Sequence, residues 1–231
     1  MTPSEIKSVL ATVGGGANKR LGQHFLIDHA ALQAVLAAAD VQPGDRVLEI
    51  GPGLGVLTQA LLARGADVVA IEKDRRFAAW LPVQPWAAGL RVVEGDAAAL
   101  RWGECLGPGP WKFVSNLPYA ITSFALRLAL FAENPPTRVS VLVQREVAER
   151  AIDTRKTSLL SLMVGLAAAS ARVARRVPPG AFFPPPKVDS AILALDVLPW
   201  EERRRRWGID PETVMALAKR GFAHPRKQLA S

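Results

Sequence analysis

The stretch Arg46-Val47-Leu48-Glu49-Ile50-Gly51-Pro52-Gly53-Leu54-Gly55-Val56 decides the fold. A short, mostly apolar run stops at a glycine-rich turn, and a helical pattern follows over residues 56–64. Such a turn lets backbone approach a ligand closely and aims helix N-terminal amides at it. Alone it is a weak signal, shared by many nucleotide binders. A dinucleotide fingerprint needs its third glycine at position 56, where this chain has Val56, so a bound pyrophosphate is disfavoured. Glu49 sets a carboxylate beside the turn, which suits the cationic methionine end of S-adenosylmethionine better than a pyrophosphate.

Outward from this turn, short β-branched runs alternate with helical patterns. Residues 46–50, 67–71, 90–94, 113–115 and 139–143 read as strands, and 56–64, 121–131 and 145–152 as helices. That alternation predicts a parallel sheet covered by helices on both faces. Upstream lie two more helical patterns, 4–10 and 28–39, separated by Gly14-Gly15-Gly16 and the basic pair Lys19-Arg20. Downstream the character changes. A buried helix over 159–168 precedes two strands, 171–177 and 191–197, that form an antiparallel pair across a proline-rich stretch. Helical candidates at 201–206 and 211–219 close the chain. The expected architecture is α/β: a doubly wound, Rossmann-like sheet with a terminal antiparallel pair over residues 1–198, and a short helical element over 199–231.

Composition narrows the class. The chain has 231 residues, 49% of them hydrophobic, enough for one sizeable core. Its 29 Lys and Arg against 21 Asp and Glu leave a formal charge of +8, which favours a polyanionic partner. Cys105 is the only cysteine, which excludes an internal disulfide and a thiolate metal cluster and fits a reducing cytoplasm. The longest apolar stretch, 159–169, is too short to span a bilayer.

Acidic residues mark the tips of consecutive strands. Glu72 ends the second, placed for ribose hydroxyls, and Asp96 follows the third, placed for an adenine amine. After the fourth strand comes Ser115-Asn116-Leu117-Pro118-Tyr119. An exocyclic adenine amine is a poor nucleophile, so its hydrogens must be held by acceptors that point the nitrogen at the methyl group. The Asn116 side-chain oxygen and the Leu117 carbonyl supply these, Pro118 stiffens the turn, and Tyr119 stacks on an extruded base. Positioning and preorganised dipoles then carry the acceleration. A third cluster, Phe182-Phe183-Pro184-Pro185-Pro186-Lys187-Val188, reads as a stiff loop offering Phe182 as the second face of a base sandwich and Lys187 to a phosphate.

These motifs resemble the ribosomal RNA adenine N6-dimethyltransferase family. The likeness rests on Leu21-Gly22-Gln23-His24-Phe25-Leu26, on residues 49–55, on Ile71-Glu72-Lys73-Asp74, on Asn116-Leu117-Pro118-Tyr119, on residues 144–150 and on 182–188, all in order. It implies S-adenosylmethionine as cofactor. Gln23, His24 and Leu26 would lie on its methionine side, with Glu49, Gly51, Gly53, Gly55, Glu72, Lys73 and Asp96 completing the cofactor site. Asn116 would meet both cofactor and target amine, and Tyr119 and Phe182 would sandwich the base. The implied partner is ribosomal RNA, two adjacent adenosines in the 3′-terminal hairpin loop of 16S small-subunit rRNA, and the implied protein is a cytoplasmic monomer without a metal. Lys19, Arg20, Lys187, Arg226 and Lys227 are the candidate RNA contacts, while Arg203–Arg206 reads as a solvated helix face beside Glu201 and Glu202. Two departures stand out. His24 replaces the family's Asn, and the C-terminal helical element is short against the family pattern. Competing readings are the sister erythromycin-resistance methylases, which modify large-subunit rRNA, and an RNA-binding ribosome-assembly factor that keeps the fold without the chemistry.

Overall fold

The computed structural model describes residues 1–18, 21–156 and 158–223. Its elements run α1 (Pro3–Thr12), β1 (Phe25–Leu26), α2 (His29–Ala39), β2 (Arg46–Ile50), α3 (Val56–Leu62), β3 (Asp67–Glu72), α4 (Arg75–Trp80), β4 (Leu90–Glu94), α5 (Trp102–Leu106) and β5 (Lys112–Asn116). They continue α6 (Thr122–Leu130), β6 (Arg138–Gln144), α7 (Arg145–Ile152), α8 (Leu159–Ala167), β7 (Ala168–Val177), β8 (Phe182–Phe183), β9 (Ser190–Val197), α9 (Trp200–Trp207) and α10 (Pro211–Ala223). Among the described residues no helix is long and apolar enough to cross a membrane.

Seven strands form one sheet in the order β4-β3-β2-β5-β6-β9-β7. The first five are mutually parallel, and β9 lies antiparallel between β6 and β7. The terminal antiparallel pair expected from the sequence is therefore present, with the later strand inserted inside the earlier one. Alternation along each strand serves two apolar layers. Leu48, Phe113, Val141 and Leu193 face helices α5 to α8, whereas Val47, Val68, Val114 and Ile192 face α2 and α3. A third cluster, built on Ile6 and Leu10 of α1 with Phe25, Leu54 and Phe77, closes the molecule beside the glycine turn.

Helix starts follow local chemistry. The Asp28 carboxylate accepts the Ala31 amide at 2.6 Å, and the Ser158 hydroxyl accepts the Ser161 amide at 3.1 Å. Three features depart from the sequence reading. Helices α4 and α5 are too short and irregular for their periodicity to show in sequence. The proline-rich stretch, read as a stiff loop, contains a short strand: β8 pairs antiparallel with β1, Phe25 opposite Phe183 and Leu26 opposite Phe182. Finally, Arg203 is not on a solvated face. Its side chain is fully buried, donating Nε to the Leu198 carbonyl at 2.7 Å and packing over the Trp200 ring at 4.6 Å. A planar guanidinium can cap the end of α6 through the Leu130 carbonyl and stack at once, which no sequence rule announces. Met215 of α10 joins the main core, so α10 rests on the sheet-covering helices.

Candidate active site

The strand order reverses between β2 and β5. Helix α3 leaves β2 for one face and α6 follows β5 on the other, so a crevice opens at the carboxyl ends of these strands. A cavity of about 230 Å³ occupies it. Gly51 and Gly53 line its floor. Gly51 has φ 68° and a Cβ there would sit 3.2 Å from Pro118 Cγ, so positive φ and close approach both require glycine. Gly55 is different. It does not line the cavity; with φ 73° it faces Trp86 and Leu81, whose side chains a Cβ would overlap. Its glycine is demanded by packing, which corrects the expectation that all three glycines serve the ligand.

Two buried carboxylates flank this floor. Glu49, 1% exposed, accepts the Thr58 hydroxyl at 2.7 Å and has no cationic partner among the described residues. Burial, against the opposing Thr58 hydrogen bond, pushes its pKa up to about 8. Glu72 accepts the Gly53 amide at 3.0 Å with one oxygen and the Asp74 amide at 2.7 Å with the other. Burial raises its pKa in spite of these bonds. Glu72 thus stitches the glycine turn to the tip of β3 while still lining the cavity. Farther out, Asp96 pairs with Lys73 Nζ at 2.7 Å, and that hydrogen bond holds its carboxyl below the usual range. Gln23, His24 and Leu26 form the opposite wall. The Gln23 amide is committed at both ends, accepting from Asn18 N at 2.7 Å and donating to Asp74 at 2.8 Å, so it shapes the wall by anchoring two segments.

Beyond β5 the cavity is bounded by Asn116, Leu117, Pro118 and Tyr119. The Asn116 amide nitrogen donates to the His24 carbonyl at 3.1 Å. Its orientation is thereby fixed, and no donor among the described residues meets its amide oxygen. Leu117 donates its backbone amide to the Leu142 carbonyl at 3.1 Å, locking the turn to β6. The Tyr119 hydroxyl lies 2.6 Å from the Ser190 hydroxyl, and its ring stacks beside His24 with centroids 6.1 Å apart at 25°. Burial raises the Tyr119 pKa. His24 also donates Nδ1–H to the Pro184 carbonyl at 2.7 Å, so one residue braces Asn116, Tyr119 and the proline loop together.

Phe182 corrects the sequence reading. It is 2% exposed and packs with Leu26, Val177 and Ile192 in the core below β8, away from the cavity lining. Pairing of β8 with β1 turns Phe182 inward, and the neighbouring Phe183 packs toward Phe25 and Leu54 instead. Lys187 is exposed and outside the cavity. Lys19, Arg20, Arg226 and Lys227 lie outside the described residues. Sequence reading missed Thr58 and Ser190, each holding a pocket side chain by one hydrogen bond, and Asp74, which holds both Gln23 and Glu72. Their partners are fixed by folding, and Ser190 lies 71 positions from Tyr119. No cluster of three or more metal-ligating side chains occurs among the described residues.

A family profile of ribosomal RNA adenine dimethylases matches residues 15–201, a span that contains every cavity-lining residue. The chain belongs to that family. Ribosomal RNA small subunit methyltransferase A of Dehalococcoides mccartyi is 41% identical over 216 residues, 92% of this chain and 73% of that protein. The protein of the same name from Thermosynechococcus vestitus is 41% identical over 227 residues, covering 93% and 81%. Among solved structures, a dimethyladenosine transferase from Plasmodium falciparum superposes with a TM-score of 0.74 at 28% identity, covering 89% of this chain and 73% of that one. The 23S rRNA methyltransferase ErmE gives 0.68 at 29%, covering 85% and 79%. This adenine dimethylase is thus a Rossmann-like methyltransferase.

Proposed function

We propose that this chain transfers methyl groups from S-adenosylmethionine to N6 of adenosines in small-subunit ribosomal RNA, dimethylating two adjacent adenosines of the 3′-terminal hairpin loop. The observation that carries the reading is Asn116: its nitrogen is held by the His24 carbonyl, and its oxygen is left as the open acceptor at the end of a carboxylate-lined crevice. Curated relatives at 41% identity bear small-subunit names, against 29% for the large-subunit structural neighbour, which favours the small subunit.

The donor set fits the cofactor. Glu49 is a buried carboxylate without a cation, suited to a ligand bearing positive charge. Glu72 keeps lone pairs for ribose hydroxyls, and Asp96 stands at the β4 end for an adenine amine. S-adenosylmethionine supplies an electrophilic methyl group when bound. The protein's part is positional. Asn116 and the Leu117 carbonyl accept hydrogens of the target amine and hold its lone pair in line, Pro118 fixes the turn, and Tyr119 offers one face to the base. His24, in place of the family's Asn, keeps the polar link and adds a ring behind Tyr119. Residues 1–198 carry this chemistry, and α9 and α10 form a C-terminal helical element. The protein acts as a cytoplasmic monomer, with Lys19, Arg20, Lys187, Arg226 and Lys227 as its candidate RNA contacts.

Incubation with S-adenosylmethionine and small subunits lacking the modification, followed by nucleoside mass spectrometry, tests the reading. N6,N6-dimethyladenosine in the 3′ hairpin is the expected product. Cofactor binding without RNA methylation would leave the assembly-factor reading in its place.

A further inference from the structure

The sheet ends on one side in an open edge, strand β7, whose sequence is Ala168-Ala169-Ser170-Ala171-Arg172-Val173-Ala174-Arg175-Arg176-Val177. Residue alternation would send Arg172 and Ala174 to one face and Val173 and Arg175 to the other. A register shift between Val173 and Arg175 changes this. Arg172 now stands opposite Ala194 and Arg175 opposite Ile192, both residues of the layer facing α2, so the two arginines share a face. Opposite Ala194 and Ile192 they are two strand positions apart, about 7 Å along the strand. Arg176, opposite Ala191, points to the other face and is held by Glu149 at 2.9 Å.

Arg172 and Arg175 are exposed, and neither forms an ion pair among the described residues. Asp196, the acid on which Arg172 acts electrostatically, is held by Arg138 at 2.9 Å and by Ser170. Along the strand, β7 climbs to the catalytic end of the sheet. Its last residue, Val177, pairs with Ser190, whose hydroxyl touches that of Tyr119. From β5, which carries Asn116, the edge is three strand spacings away, about 14 Å. That is a reach of a few nucleotides.

We infer that the β7 edge is a docking rail for the backbone of the RNA substrate, with Arg172 and Arg175 meeting neighbouring phosphates of the strand that flanks the target adenosine. The inference rests on the methyltransferase reading above and goes beyond the catalytic pocket. A β-bulge is a device for re-aiming side chains, and here it converts an alternating pair of cations into a one-sided row. Exposed arginines also guard an open edge against pairing with other chains, and the test separates the two roles.

The variant is Arg172→Gln/Arg175→Gln, which leaves Arg176 and its ion pair in place. Binding to a small-subunit rRNA hairpin and to an unrelated single-stranded RNA of equal length is measured from 50 to 300 mM salt, with S-adenosylmethionine titration and thermal unfolding alongside. The rail requires weaker binding to both RNAs and a log–log salt slope shallower by roughly 1 to 2, since each lost phosphate contact removes about 0.7 to 0.9. Cofactor affinity, unfolding temperature and turnover at saturating RNA stay at wild-type values, and Arg172→Lys/Arg175→Lys restores the slope. An unchanged slope overturns the rail, and self-association of the glutamine variant with unchanged RNA binding assigns the arginines to edge protection. Failure of the wild-type chain to methylate rRNA would strike the functional reading instead.

Discussion

Glu49→Gln should make the cofactor-free protein more stable, increasingly so as pH rises. An ordinary glutamate in the unfolded chain ionises near 4.5, whereas Glu49, buried against Thr58, holds its proton to about 8. A raised folded-state pKa contributes stability that is fully present below 4.5 and lost as pH climbs through 8. Each pH unit in that window removes about 1.4 kcal/mol. By pH 7 the wild-type protein has lost roughly 3 kcal/mol that glutamine, unable to ionise, retains. The Thr58 hydroxyl can still donate to the amide oxygen, so the local bond survives. Urea unfolding of both proteins at pH 5, 6, 7 and 8, without cofactor, reads the effect as a stability gap that widens with pH in favour of the variant. A gap that stays constant across this range would refute the reasoning. The same variant should bind S-adenosylmethionine more weakly, because the carboxylate that burdens the empty fold is the group suited to the ligand's positive charge.

Three further outcomes follow from the site. Asn116→Ala should retain cofactor and RNA binding and lose on the order of a hundredfold or more in single-turnover rate, since its acceptor acts most strongly as the target nitrogen rehybridises; a wild-type rate would remove Asn116 from the mechanism. Tyr119→Ala should weaken capture of the base by about 1–3 kcal/mol, whereas Tyr119→Phe, which loses only the Ser190 bond, should keep most of that affinity in an RNA-binding titration. Gly55→Ala should lower stability by about 2–4 kcal/mol through overlap with Trp86 and Leu81 at positive φ, measurable by urea unfolding, with little direct change at the cavity it does not line.

Much of this was legible along the chain because it depends on neighbours in sequence. Strand β2, its glycine turn and helix α3 follow from a β-branched run, residues that tolerate positive φ and a helical period. The cavity-lining acids Glu49, Glu72 and Asp96 could be placed because parallel strands deliver their carboxyl ends to one edge of the sheet. Asn116 and Tyr119 were singled out by the chemistry an adenine amine demands, and both line the cavity. Tertiary structure alone decided which of these side chains were free to act. The inward rotation of Phe182 came from pairing of β8 with β1, segments more than 150 residues apart. Folding also gave Asn116 its orientation through His24, put Arg203 into the core, and moved Gly55 from ligand to Trp86. Sequence period reports which face of its own element a residue occupies; it carries no record of what another element brings to that face, and burial and hydrogen-bond partnership are settled there.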